Sequence, residues 1–409
     1  MPTRMLVADR QIEHLERVKA RGHVRRIVFA AGPGDVEASW LSWRDGKDHA
    51  RIPSIGYSQQ IYELAEGIGA ELHVLTQKPV RQRTWDGAVT FRHLPAPSGQ
   101  GSLYHLSDLR TARTILSHAR DVGADTIVMQ RALMNLWPMA SFPGPGRQLI
   151  FSLHTTLVAQ NTPVGLADRL YLKGKLRALR RARGILTVGP PLGDLTRELL
   201  PDGPPVVAHI PQYPEAMAAQ YADTKKHSGG GLIYVGRIET FKGVFLLLNA
   251  FEKIASRHDG ARLDFIGEGG ALPELTAAAD RSVQRDRITV HGALPGNQVM
   301  AHIAQSDLLV CPTMSSFREG LAKTPLESAI VGVPSLMSSV VPAKDMVGEG
   351  GHVIPPDSLD ALTEALDMLL GDPDRLTRMG QAARKAASET VFDRNKSLGA
   401  QLLRMLAED

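Results

Sequence analysis

Short apolar runs and amphipathic stretches alternate along almost the whole chain. Apolar runs stand at RRIVFAAG, AELHVLTQ, DTIVMQ, QLIFSLH and GILTVG, and again at GLIYVG, RLDFIG, RITVHG, DLLVCP, VPSLMSS and GGHVIPP. Their continuity predicts strands buried on both faces. Between them, apolar residues recur at helical spacing over Gln59–Ile68, Thr111–Val122, Val244–Ser256 and Asp360–Leu370. Strands that alternate with helices and end in Gly or Pro predict an α/β class with doubly wound parallel sheets.

The pattern lapses between about Pro211 and Gly231, where YPEAMAAQYADTKKHSGGG is polar and Gly-ended. A fresh strand–helix series follows, and 409 residues exceed one comfortable core. The expected organisation is a first Rossmann-like domain over 1–213, a linker over 214–230 and a second such domain over 231–391, facing each other across a cleft. Ligands of such sheets sit outside the carboxyl ends of the strands. After the first strand, PGDVEASWLSWRDGKDHARIPSIGYSQQ reads as a loop of roughly twenty residues, long enough to be functional, pointing into the cleft.

Composition narrows the partners. The single cysteine, Cys311, excludes an intrachain disulfide and fits a reducing compartment. The first residues are charged throughout, and nowhere do about 18 apolar residues run together, so the expectation is a cytoplasmic chain that does not span a membrane. The net charge is +4, but RLYLKGKLRALRRAR (Arg169 to Arg183) holds seven basic residues and no acidic one. It reads either as a solvated helix face or as a patch for anionic lipid or a phosphorylated acceptor. Aromatics at 5% and no recognised module argue against nucleic acid.

Two segments carry chemistry. In VGRIETFKG, Arg237 and Lys242 follow a strand and enter a helix, a place suited to a diphosphate; the plainer reading is two surface cations, one pairing with Glu239. In SSFREGLAKTPLES, Glu319 and Glu327 stand eight residues apart. One continuous helix would rotate them by roughly 80°. The local reading is a loop over 315–323 and then a helix with Thr324 as N-cap, Pro325 at N1 and Glu327 closing a capping box. Cations for a diphosphate, with carboxylates for sugar hydroxyls, together suit a nucleotide-sugar.

Here the residues resemble a family. GR-x4-KG, followed about eighty residues later by E-G-x6-E, resembles the donor-binding domain of retaining glycosyltransferases of the GT-B fold, in particular glycosyltransferase family 4. FIGEGG, VHGAL, SDLLVCPT and GGHVIPPDSLDALTEAL follow in the same order. The resemblance is close over residues 232–370 and extends to the first half only as fold pattern and short motifs. It implies that Arg237 and Lys242 bind the donor diphosphate, that Glu319 accepts from sugar hydroxyls, and that Glu327 holds the ribose. It implies further donor contacts from Gly320, Leu321, Ala322, Lys323 and Thr324. It sets the base near Gly292 and Leu294, and brings Gly32 and Gly34 to the phosphates from across the cleft. His154, in FSLHTT, matches a histidine beside the transferred sugar; by itself it reads equally as a structural residue. The segment 392–409 resembles the family's last helix, which crosses back to the first domain. Leu321-Ala322-Lys323 departs from the family's usual run, leaving the sugar open, and residues 1 to about 24 have no counterpart.

The expected reaction moves a sugar from a nucleotide-diphosphate sugar to a glycan or lipid-linked acceptor with retention of configuration. No metal-binding motif stands in the sequence, so neither metal nor cofactor is expected. A nucleotide-sugar epimerase on the same fold, or a non-catalytic nucleotide-sugar-binding subunit, would share the donor site. NAD-dependent oxidoreduction fits less well, because GPGDVE is not G-x-G-x-x-G opening promptly into a helix.

Overall fold

The computed structural model describes residues 5–6, 9–47, 53–80, 83–85, 87–157, 166–221, 224, 230–317 and 319–408. The first sheet has eight strands: β1 (Arg26–Ala30), β2 (Glu71–Thr76), β3 (Arg83–Trp85), β4 (Val89–His93), β5 (Thr126–Met129), β6 (Gln148–Leu153), β7 (Gly184–Val188) and β8 (Val206–His209). Their spatial order is β3-β4-β2-β1-β5-β6-β7-β8. All pairs are parallel except β3 with β4. The second sheet has six strands: β9 (Gly231–Val235), β10 (Arg262–Ile266), β11 (Ile288–Gly292), β12 (Leu308–Cys311), β13 (Ser335–Ser338) and β14 (Gly351–Ile354). It is parallel throughout, in the order β11-β10-β9-β12-β13-β14. Two doubly wound α/β sheets are thus present, as the apolar runs predict.

Every predicted strand forms; β5, β7, β12 and β13 are buried throughout, while β11 and β14 keep partly exposed positions. The strands that periodicity missed are β3, β4 and β8, at the sheet margins. There VTFRH alternates buried and part-exposed positions, and VVAH is mostly half-covered. The helix read from Thr111 begins at Gly101, since its first turns carry exposed Leu103 and Leu106.

The long loop expected after β1 is a correction. Val36–Arg44 is a helix, N-capped by Asp35, whose carboxylate accepts from the Ala38 N–H at 3.0 Å. Trp40 and Trp43 do not point into a cleft. Both are 5% exposed and pack on Tyr62 and on each other, with ring centroids 5.2 Å apart between the two indoles. Val36, Trp40 and Trp43 lie at helical spacing, a signal obscured in a nine-residue helix by its charged surroundings. Residues 48–52 of this segment lie outside the described ones.

The last helix, Leu398–Ala407, packs Leu398, Leu402, Leu403 and Leu406 into the same core as Ile27, Phe29 and Tyr62 of the first domain. Ser397 caps it through the Ala400 N–H at 3.1 Å, and Gly399 N–H donates to Gln60 Oε1 at 3.0 Å. The N-terminal helix Asp9–Arg21 lies beside it. Glu63, buried, accepts from the Met5 and Leu6 N–H groups, which gives the N-terminal segment a structural role.

Candidate active site

The carboxyl end of β9 fixes the first part of the site. Tyr234 donates its hydroxyl to the Arg237 carbonyl at 2.7 Å, holding the turn from which the exposed Arg237 side chain leaves. Glu239 does not serve Arg237 as an ion partner; it accepts the Gly270 N–H at 3.0 Å and so joins this turn to the loop after β10. A short 3-10 turn, Thr240–Lys242, leads to Gly243 at φ +75°, where a Cβ would stand 2.0 Å from the Pro312 carbonyl oxygen. Only glycine permits both the left-handed backbone and this approach, which sets Lys242 against the loop after β12.

That loop completes the group. The Lys242 ammonium is ion-paired with Glu319, with side-chain exposures of 13% and 10%. Phe241 and Phe317 stack with centroids 4.6 Å apart and planes 10° off parallel. The Arg237 guanidinium stands 5.5 Å from the Phe241 centroid and 5.1 Å from that of Phe317, and Lys242 Nζ stands 4.4 Å from Phe317. Both cations are held on aromatic faces; Lys242 is engaged by Glu319, while the exposed Arg237 guanidinium keeps N–H groups available for an anion. Ser315 N–H and hydroxyl both donate to Asp357, anchoring the loop's base.

Gly320 brings the second domain onto the first. A Cβ there would lie 1.9 Å from the His154 carbonyl oxygen, so the two backbones are in contact. Leu321 packs over Gly189, and Lys323 donates to Ser54 Oγ at 3.0 Å while lying 4.7 Å from the Tyr57 ring centroid. Gly320, Leu321 and Lys323 therefore form a seam with residues after β1, β6 and β7.

On the first-domain side, His154 Nε2 lies 2.9 Å from Gln130 Nε2 and 3.1 Å from Ser152 Oγ. An amide nitrogen only donates, so His154 Nε2 accepts and the ring proton is assigned to Nδ1. Gln130 Oε1 in turn faces the Gly32 N–H at 3.4 Å, which links Gly32 to His154. Burial, and secondarily the Lys323 cation, lower the His154 pKa to about 3. His209, whose ring centroid lies 5.5 Å from that of His154, is also held well below the ordinary histidine range, by burial first and then by His154 and Lys323. Both imidazoles are neutral at neutral pH. Tyr57 lies edge-on to each.

The predicted capping box does not form. The helix runs Thr324–Ile330 with Lys323, in αR geometry, as N-cap and no side-chain cap. The Thr324 hydroxyl instead faces Cys311 Sγ at 3.5 Å, and Pro325 is inside the first turn. Glu327, 5% exposed, accepts the Tyr213 hydroxyl at 3.1 Å through Oε1. Burial raises its pKa, against the lowering effects of Lys323 and Tyr213.

The remaining positions sit further out. Gly292 ends β11, and its carbonyl accepts the Gly267 N–H at 2.9 Å. Leu294 and Ala322 pack at the margin of the second-domain core. Gly34 is exposed in the turn after β1. The seam residues that sequence reasoning missed are Ser54, Tyr57, Gln130, His209 and Tyr213, together with the Phe241–Phe317 pair. Phe317 and Phe241 lie inside segments already singled out; Gln130, His209 and Tyr213 come from distant strand ends, and Ser54 and Tyr57 from the entry to the helix Tyr57–Ile68, which no spacing connects.

Comparison with known families agrees with this geometry. The sequence model of the family described as Glycosyl transferases group 1 matches residues 223–386, and that of the Glycosyl transferase 4-like domain matches residues 56–211. The chain is a GT-B glycosyltransferase resembling family 4. This glycosyltransferase is 26% identical over 340 residues, 78% of its chain and 86% of the relative, to a GDP-mannose-dependent alpha-(1-6)-phosphatidylinositol monomannoside mannosyltransferase of Mycobacterium tuberculosis. It is 29% identical over 154 residues, 37% of its chain and 39% of the relative, to alpha-D-kanosaminyltransferase of Streptomyces kanamyceticus. In fold it is similar to sucrose-phosphate synthase from Thermosynechococcus elongatus, with a TM-score of 0.71 at 17% identity, covering 93% of this chain and 99% of that one. It is also similar to an Escherichia coli trehalose-6-phosphate protein bound with UDP-2-fluoro glucose, with a TM-score of 0.68 at 10% identity over 94% and 99% of the two chains.

Proposed function

We propose that the glycosyltransferase moves a hexosyl group from a nucleotide-diphosphate sugar to a glycan or lipid-linked acceptor, with retention of configuration and without a catalytic metal. The observation that carries this reading is the grouping of Arg237, Lys242 and Glu319 at the ends of β9 and β12, closed by Gly320 against His154. Nucleotide-sugar use is supported by the mannosyltransferase relative's GDP-mannose dependence and the fold neighbour's bound UDP-sugar analogue.

On this reading the donor enters between Lys242 and Glu319. Arg237 and Lys242 take the diphosphate, and Glu319 accepts from the sugar's hydroxyls. The bond from the anomeric carbon to the phosphate oxygen breaks while the acceptor oxygen bonds to the same face. The acceptor proton passes to the leaving phosphate oxygen. Negative charge gathers on the diphosphate as the bond breaks, so two cations fixed on aromatic faces stabilise the transition state more than the bound donor. Glu327 turns from Tyr213 to the ribose hydroxyls. His154, neutral and carrying its ring proton on Nδ1, serves as a hydrogen-bonding group beside the sugar rather than as a cation. The seam excludes water and favours transfer over hydrolysis.

The acceptor side is proposed to dock on an anionic membrane at the cytoplasmic face. Among the described residues no helix is long and apolar enough to cross a membrane. Of the seven basic residues in 169–183, Arg169, Lys173, Arg177, Arg180 and Arg181 are exposed. Lys175 is buried beside Met134, and Arg183 bonds the carbonyls of the last helix. A groove of about 1020 Å³ between the helices Gly101–Asp121 and Leu166–Leu179 adds Arg113, Arg120 and the exposed Trp137 to this face.

Thermal-shift measurement against UDP-, GDP- and ADP-sugars identifies the donor, and incubation of the best one with lipid-linked acceptors reads transfer. Stabilisation by one sugar nucleotide and acceptor-dependent product are expected. Conversion of the donor's sugar without acceptor, or no binding of any sugar nucleotide, overturns the reading.

A further inference from the structure

In the second sheet, β10, β11 and the helix Gly296–Gln305 place three ligand-type side chains together. Asp264 comes from the middle of β10, His291 from the end of β11 and His302 from the last turn of that helix. One ligand atom from each lies within 4.8 Å of the others. His291 Nε2 and Asp264 Oδ1 are 2.8 Å apart, and the rings of His291 and His302 have centroids 4.7 Å apart with planes 56° apart. All three residues are partly exposed, which leaves room for a water to complete a coordination shell. Two imidazoles and one carboxylate form a donor set that suits a borderline divalent cation and is unsuited to magnesium or calcium, which want oxygen ligands.

The geometry points to a structural zinc-class site formed by Asp264, His291 and His302, which pins the helix Gly296–Gln305 to the outer edge of the donor-side sheet. The His291–Asp264 hydrogen bond joins two of the three residues, and the ring of His302 is brought to them from a third element. A bound ion would join a turn of two-sided interest. His291 precedes Gly292, whose carbonyl holds the loop after β10. The helix itself accepts the Tyr221 hydroxyl at the Asn297 carbonyl, 3.0 Å away, and so touches the segment between the two sheets. The three ligands come from β10, β11 and the helix that follows, none of them from the Arg237–Lys242 turn after β9 or the Glu319 loop after β12.

The test uses the full-length, tag-free chain after dialysis against a chelator, with Zn2+ titrated by calorimetry and Co2+ by visible absorption. One Zn2+ per chain is expected, with a rise in Tm and Co2+ ligand-field bands of four-coordinate intensity. The single cysteine is buried at Cys311, so thiolate binding does not confuse the signal. H302A changes a partly exposed side chain and should fold. It should lose at least tenfold in Zn2+ affinity, as should D264N, with both losing the Tm rise. No saturable binding, or equal binding by wild type and H302A, overturns the proposal. The readouts need no turnover, so they stand apart from the donor reading.

Discussion

Lys242 and Glu319 are ion-paired at the meeting of the β9 and β12 loops, and each side chain is about nine-tenths covered. The sequence assigns these two residues to different parts of one donor, the cation to phosphate and the carboxylate to sugar. The structure shows that they satisfy each other. A paired, part-buried charge left alone on removal of its partner is costly, about 3–5 kcal/mol in fully buried cases. Lys242→Ala should therefore lose stability as well as turnover. The double variant Lys242→Met with Glu319→Gln removes both charges and should recover most of that stability. Its turnover should stay at least about a hundredfold below wild type, the scale set by loss of one oxyanion-stabilising group. Urea unfolding alongside initial rates separates the two effects. A double variant that is both stable and fully active would refute the donor role of the pair.

Gly320 gives a test of the seam. A Cβ at this position would overlap the His154 carbonyl oxygen, an atom of the other domain, so Gly320→Ala should leave each domain folded while holding the two apart. Displacement of catalytic groups by about 1 Å costs on the order of a hundredfold in rate. The expected result is a fall of that size in kcat/KM, little change in the unfolding midpoint of either domain, and a larger radius of gyration in X-ray scattering. An unchanged rate would show that this contact is not required for turnover.

How much of this was legible in the sequence follows from the reach of each interaction. The strands β1, β5, β7, β9, β12 and β13 were readable because continuous burial leaves a local apolar run. Arg237, Lys242 and Glu319 were readable because each stands a few residues past such a run. The helix Val36–Arg44 was lost among charged residues, although Val36, Trp40 and Trp43 carry its period. The partnership of Glu327 with Tyr213 was beyond reach, since 114 residues separate them and the local alternative, a capping box, is the commoner use of that spacing. Lys323 meets Ser54 across 269 residues, a pairing that only the closed seam creates.

Acid stability should depend on His154 and His209. Both are lowered in the folded chain, mainly by burial, so each is neutral in the native state and protonates in the unfolded state near pH 6.5. For His154 the unfolded chain binds more protons between about pH 3 and pH 6.5, so its contribution to stability is full above the unfolded value and falls as the pH drops through that window; His209 acts in the same direction. His154 contributes about 2 kcal/mol of loss at pH 5. Replacing His154 with Gln should flatten the fall in unfolding free energy between pH 7 and pH 5, with His209→Gln flattening it further. An identical pH profile in these variants would contradict the assigned neutrality.

Lys323 sets part of that shift, and this can be read directly at the histidine. Its ammonium donates to Ser54 and lies against Tyr57, which in turn packs on His154. The cation is the second cause, after burial, that lowers the His154 pKa. Lys323→Met keeps the length and apolar stem of the side chain and removes the charge. The His154 pKa should then rise from about 3, though not to the ordinary value, because the burial that dominates the shift remains. Glu327, whose raised pKa is opposed by the same cation, should rise as well. Titration of the imidazole by nuclear magnetic resonance checks the first change. A His154 pKa that stays at or below its present value in Lys323→Met would show that the ammonium does not act across the seam.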